Sequence, residues 1–210
     1  LSGTVTSAEE GAMEGVLVSA KKNGSNMTIT VVSDAKGNYR FPASKLEPGQ
    51  YRIGIRAIGY DLDGRATADV AAQKTATTDL KLRKTADLAA QMSNSEWLNS
   101  MPGTPQQKYF MLGCVGCHSL ERIVRSKYNA QEFFGVLNRM ANYANNTTMA
   151  RIQPRVAERK PNEELARKLA DYLATVNLSK GATWYYELKT LPRPTGRATR
   201  VVRSEEHTSE

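Results

Sequence analysis

The sequence predicts a multidomain protein, all-β and then all-α, and two observations carry that reading. Up to about Arg83 apolar residues alternate with a period of two between frequent turn residues, and from Thr104 onward the period becomes about 3.6. With 210 residues and 40% hydrophobic content, the chain can bury a core of ordinary density in one or two domains.

In the first part, Val16, Val18 and Ala20 share one face of a strand. Asn23 and Gly24 supply a turn, and Met27, Ile29 and Val31 resume the alternation, which makes a hairpin. The stretch DAKGNYRF follows, with Gly37 and Asn38 able to take positive φ. It lacks the alternate oxygen ligands and the bidentate acid of a calcium loop, so a plain hairpin turn is expected. Pro48 and Gly49 turn the chain into a strand with Tyr51, Ile53, Ile55 and Ala57 on one side, and TDLKLR closes the run. About seven strands with turns at this spacing predict a small antiparallel β-sandwich over residues 1–83.

Residues 84–103 read as a linker that ends in turn chemistry at Pro102 and Gly103. Beyond it three short helices are expected over residues 104–178. Thr104 caps the first, with Pro105 at its opening position, and the chain runs straight from it into the cysteines. The second carries an apolar stripe of Phe133, Val136, Leu137, Met140, Ala141 and Ala144. Asn162 caps the third, which has Glu163 and Glu164 in its first turn and Leu165, Leu169, Tyr172, Leu173 and Val176 directed inward. A helical domain this small has a thin core and gains from packing around something large and apolar.

Both cysteines of the chain and one of its two histidines fall in Cys114-Val115-Gly116-Cys117-His118. C-x-x-C-H is the spacing for covalent attachment of one c-type haem: two thiols add to the vinyl groups and the adjacent histidine faces the iron. A disulfide here would close a loop too small to constrain the unfolded chain. A thioredoxin-like pair would follow a strand, whereas these cysteines follow a helical stretch, and a zinc site would need a fourth strong ligand. Thioethers are made outside the cytoplasm, so a bacterial periplasmic or exported protein is expected.

With His118 as proximal iron ligand, the distal ligand is expected to be a methionine. Met140 is favoured because it lies on its helix's apolar stripe, and Met149, in a polar loop, is the alternative. A methionine ligand would raise the potential and suit the iron to carrying electrons. Arg122 and Arg125 follow His118 by about one and two helical turns and are candidates to pair haem propionates; ordinary solvated charge is the competing reading.

The formal charge is +8, without a run of five like charges or a basic stripe interleaved with aromatics, so nucleic acid is not an expected partner. No apolar stretch is long enough for a membrane span. The opening LSGTVTSAEE has neither an initiator Met nor a leader, as expected if a signal peptide was removed or lay outside the fragment. The closing octet RSEEHTSE, residues 203–210, resembles the frame translation of a sequencing-adapter oligonucleotide. It is expected to be an artefact outside the fold, and without it the formal charge is +10.

Three resemblances add to this. The stretches SGTV, GVLVSAKK, TVVSDAKGNYRFP and LEPGQYRIGIRAIGY resemble the carboxypeptidase regulatory-like domain family, which implies a prealbumin-like (transthyretin-type) sandwich. That family is an accessory module and implies no catalytic site. CVGCH, the helix with Met140 and the last helix LARKLADYLATV resemble a small monohaem cytochrome c, which implies that the last helix packs on the first. FFGVLNRMANYA is similar to shortened cytochromes in which a Met ends this helix. The order of sandwich, cytochrome and the extended lead-in of residues 179–202 resembles bacterial proteins that continue into a streptogramin-lyase-like (virginiamycin B lyase-like) β-propeller, so any lyase or oxidoreductase activity would belong to that absent part.

The expected function is therefore electron transfer, with a redox protein as partner and a β-sandwich tethered to it. The alternative is a module that binds a glycan or a protein, joined to a haem-free helical spacer.

Overall fold

A computed structural model describes residues 1–116, 118–142 and 162–207. The chain divides into two compact units, Leu1–Leu88 with Pro192–Glu210, and Ala89–Leu191.

The first unit is a β-sandwich. One sheet is built from β1 (Ser2–Ser7), β2 (Gly11–Ala12), β5 (Asn38–Arg40), β7 (Tyr60–Leu62) and β9 (Leu80–Lys84). The other has the order β10 (Val202–Glu206), β4 (Met27–Val32), β3 (Leu17–Lys22), β6 (Gly49–Arg56) and β8 (Ala66–Val70). Val16, Val18 and Ala20 are fully buried, and Ile29, Val31, Tyr51, Ile53, Leu80 and Leu82 complete the core with them, as the alternation predicts. Met27 departs from that expectation and is exposed, because it opens β4 beside the turn, one residue beyond the last pair with β3.

Gly37 takes φ 74°, and a Cβ there would stand 2.6 Å from the Val5 carbonyl oxygen, so only glycine fits this turn. Asp34 Oδ1 accepts from the backbone N–H groups of Lys36 and Asn38 at 2.8 and 2.9 Å, which makes DAKGN a turn held by its own carboxylate.

The sandwich is not purely antiparallel. β1 and β9 pair in parallel, Val5 opposite Leu80 and Ser7 opposite Leu82, so that strands from the two ends of residues 1–84 lie side by side and run in the same direction. The closing octet also differs from expectation. Arg203–Glu206 form most of β10, which pairs antiparallel with β4 from Val202 opposite Val31 to Glu206 opposite Met27. An edge strand offers a row of unpaired backbone groups, and main-chain pairing makes little demand on side chains. Deleting Arg203 through Glu210 is expected to change stability by no more than about 1 kcal/mol, since exposed pairings barely exceed the cost of ordering the backbone. A fall in the thermal midpoint of more than about 8 °C would contradict this.

Between the two parts of this unit, Arg193 bonds Glu10, which also accepts from the Tyr60 hydroxyl at 2.6 Å, and Gly196 N–H donates to Glu14 at 2.7 Å. The Arg193 and Tyr60 hydrogen bonds hold the Glu10 carboxyl below the usual range. A depressed carboxyl contributes stability that is present above its unfolded pKa and lost as the pH falls through the folded one. Lowering the pH from 7 to 3 is therefore expected to reduce the thermal midpoint of the intact protein more than that of Glu10→Gln. Equal losses in both would show that the pair contributes nothing.

The second unit is helical. Residues 84–103, expected as a linker, instead contain α1 (Leu88–Gln91) and α2 (Asn94–Ser100). Ser93 and Glu96 form a capping box on α2, and Trp97 is fully buried, so this segment starts the unit's core. α3 (Pro105–Met111) begins with the Thr104 cap and Pro105 as expected. After it come α4 (Glu121–Val124), α5 (Ala130–Met140) and α6 (Glu163–Val176), the last capped by Asn162 through Leu165 N–H at 3.0 Å. Tyr172, Leu173 and Val176 face inward, and Ala166 and Ala170 are buried beside them. Leu165, expected inside, is exposed in the first turn of α6. None of the described helices is long and apolar enough to cross a membrane.

Candidate functional site

The chain enters the cysteine segment through α3, whose last residue, Met111, is fully buried, and a 3-10 turn over Leu112–Cys114. No strand leads into Cys114, so the local structure is not that of a thioredoxin-type pair. Cys114 and His118 are half-buried, while Cys117 lies outside the described residues. Among the described residues no group of three or more His, Cys, Asp or Glu side chains stands ready to hold a metal ion.

His118 Nδ1 lies 3.0 Å from the Ser119 carbonyl oxygen. A carbonyl only accepts, so this bond places the proton on Nδ1 and leaves the Nε2 lone pair as the ring's donor to a metal. The bond also orients the ring in the way that metal-ligating histidines are held. The sequence could not show this, because the acceptor is a backbone atom whose position depends on the turn.

Around this segment α2 acts as the support. Asn94 Oδ1 accepts from Leu120 N–H at 2.8 Å and fixes the chain just beyond His118. One turn along α2, Trp97 packs on Trp184 with ring centroids 5.1 Å apart. Trp184 Nε1 donates to the Val124 carbonyl at 3.0 Å, and the Arg125 guanidinium lies 5.8 Å from the Trp184 ring. The residues 179–191, expected as a lead-in to another domain, thus pack into the helical unit. Glu96 is 2% exposed, and its oxygens accept from Ser93 N–H, Ser93 Oγ and Leu191 N–H. Trp97 Nε1 is buried without a hydrogen-bond partner among the described residues.

The predicted site residues fall into three groups. Cys114 and His118 sit on the same short segment, and Arg125 lies beyond it with Glu121 Oε1 at 2.7 Å. Arg122 is exposed. Met140, expected on an inward stripe, is 43% exposed at the last residue of α5, where the stripe that begins with buried Phe133 reaches the surface. Met149 and Ala144 lie outside the described residues.

Between α3 and α6 runs a cavity of about 620 Å³ lined by Phe110, Leu165, Leu169 and Tyr172 together with Thr104 and Gln107. Tyr172 donates to the Pro102 carbonyl at 2.9 Å, and a Cβ on Gly103 would come 2.8 Å from its ring. Burial pushes the Tyr172 hydroxyl up to about 12, with the neighbouring Tyr185 adding to the shift. Sequence reasoning missed Trp97, Asn94 and Trp184. The signal for the first was present: the S-x-x-E box at Ser93 and Glu96, followed by Trp97 and Met101 at helical spacing.

The family model for the carboxypeptidase regulatory-like domain matches residues 1–83. Residues 1–83 are a carboxypeptidase regulatory-like domain. The match ends at Arg83, inside β9, and in the structure this domain gains β10 from the far end of the chain. No curated protein matches the chain.

Proposed function

We propose that the helical unit holds one covalent haem c and that the protein is an exported electron carrier, with the carboxypeptidase regulatory-like domain as an accessory module. The observation that carries this is His118, which follows C-x-x-C on a helix-fed turn with Nδ1 bonded to a backbone carbonyl and Nε2 left for a metal. Cys114 and Cys117 would form the thioethers and His118 would be the proximal ligand. Met140 is favoured as the distal ligand over Met149.

The surroundings fit the group in two respects. The unit buries an indole N–H at Trp97 that has no acceptor among the described residues and is suited to a carboxylate or a water brought in with a ligand, and its apolar α3–α6 cavity is adjacent to the cysteine-bearing turn in sequence. The haem would supply reversible one-electron chemistry. The Ser119 carbonyl orients the imidazole, the buried Trp97, Met111 and Leu120 would help exclude water, and Arg122 and Arg125 would be the candidates to pair propionates, Arg125 by giving up its bond to Glu121. The redox partner would be another protein.

The test is a denaturing gel stained for haem peroxidase activity, after export of the chain in a host with a cytochrome c maturation system. A band that survives denaturation and is lost in Cys114→Ala/Cys117→Ala is the expected result. Absence of a band beside a maturing control cytochrome would reject the proposal.

A further inference from the structure

The outward positions of the second sheet carry a charge pattern that its packing does not explain. On β3 these are Leu17, Ser19 and Lys21; on β4 Thr28, Thr30 and Val32; on β6 Gln50, Arg52, Gly54 and Arg56. The register sets Lys21 directly opposite Arg52, with Thr28 beside Lys21 and Thr67 of β8 beside Arg52. Like charges opposite each other on a sheet face are destabilising. Among the described residues neither Lys21 nor Arg52 has a carboxylate partner, and no acid occupies an outward position on these three central strands.

The next row is Thr30, Ser19 and Gly54. A Cβ at Gly54 would come 2.9 Å from Ser19 Oγ, so the glycine keeps the centre of this face low. Arg56 closes the far side, opposite Leu17 and about 13 Å along the strand from Arg52. The acids of this face stand at its margins: Asp69 opposite Gln50 on β8, and Glu205 on β10, paired with Arg203 at 2.6 Å.

We propose that this face is a docking surface for an acidic polysaccharide. A floor of hydroxyls with the Lys21–Arg52 pair on one side and Arg56 on the other matches a chain that carries carboxylates at intervals and hydroxyls between them. Single-stranded nucleic acid would need aromatic side chains on which bases could stack, and the face has none. The inference concerns the sandwich and is independent of the haem proposal.

The test is affinity electrophoresis of the full chain in gels containing polygalacturonate, with dextran, duplex DNA and phosphatidylglycerol vesicles as comparison arms. Polygalacturonate is expected to retard the protein while dextran does not. Lys21→Gln/Arg52→Gln should weaken that binding by roughly tenfold, the scale of losing two charge-assisted contacts. Its thermal midpoint should be unchanged or raised, since a repulsive pair is removed. Lys45→Gln/Lys74→Gln, off this face, should bind as the parent does, and Gly54→Ala should weaken binding by filling the floor. The proposal is overturned by no retardation in polygalacturonate, by equal losses in the two double variants, or by DNA or vesicles binding as tightly as the polyuronate.

Discussion

Trp97→Ala is expected to cost about 3–5 kcal/mol, the range for truncating a fully buried aromatic side chain, and to unfold the helical unit. The indole fills the space between α2 and Trp184 at a ring distance of 5.1 Å, and α2 in turn holds Leu120 through Asn94. Loss of the ring would leave a cavity beside the segment that follows His118. The loss should show as a separate low-temperature transition in calorimetry, together with loss of near-ultraviolet dichroism.

Trp97→Phe separates packing from polarity. It keeps most of the ring and removes an N–H without a partner among the described residues, so it should cost far less than the alanine variant in the haem-free chain. An alanine variant as stable as the parent would mean that residues 84–103 are a linker after all.

The second large effect is expected at His118. If the chain carries the proposed haem, His118→Ala should stay covalently coloured, because Cys114 and Cys117 are untouched, while its absorption spectrum changes through loss of an iron ligand. The side chain contributes only one described hydrogen bond to the fold, to Ser119, so the haem-free chain should keep its unfolding free energy within about 1 kcal/mol. The two readouts are independent. A large loss of stability with an unchanged spectrum would make His118 a structural residue and remove it as an iron ligand.

How much of this was legible depended on whether the deciding partner was local. The Val16, Val18, Ala20 face and the Thr104 and Asn162 caps follow from residues a few positions apart, and the structure has them as read. The parallel pairing of β1 with β9 joins residues about 75 apart, and no local period encodes it. The contribution of residues 192–206 to the sandwich was hidden for the same reason: it rests on Arg193 with Glu10, Gly196 with Glu14, and backbone pairing along β4.

Residues 84–103 were misread because the composition of their turns outweighed the capping box within them. Leu165 and Met140 satisfied the helical period yet lie exposed at the first turn of α6 and the last residue of α5. Periodicity specifies a face of a helix but not how far along it the neighbouring elements reach. At the candidate site the motif supplied the residue types and the structure supplied the histidine's orientation.

Intact-mass spectrometry of the denatured, exported chain tests the central claim most directly. The account predicts a mass raised by one haem, carried by the peptide that contains Cys114 through His118 and lost in Cys114→Ala/Cys117→Ala. An unmodified mass, from a preparation in which a control cytochrome gains its haem, would contradict it.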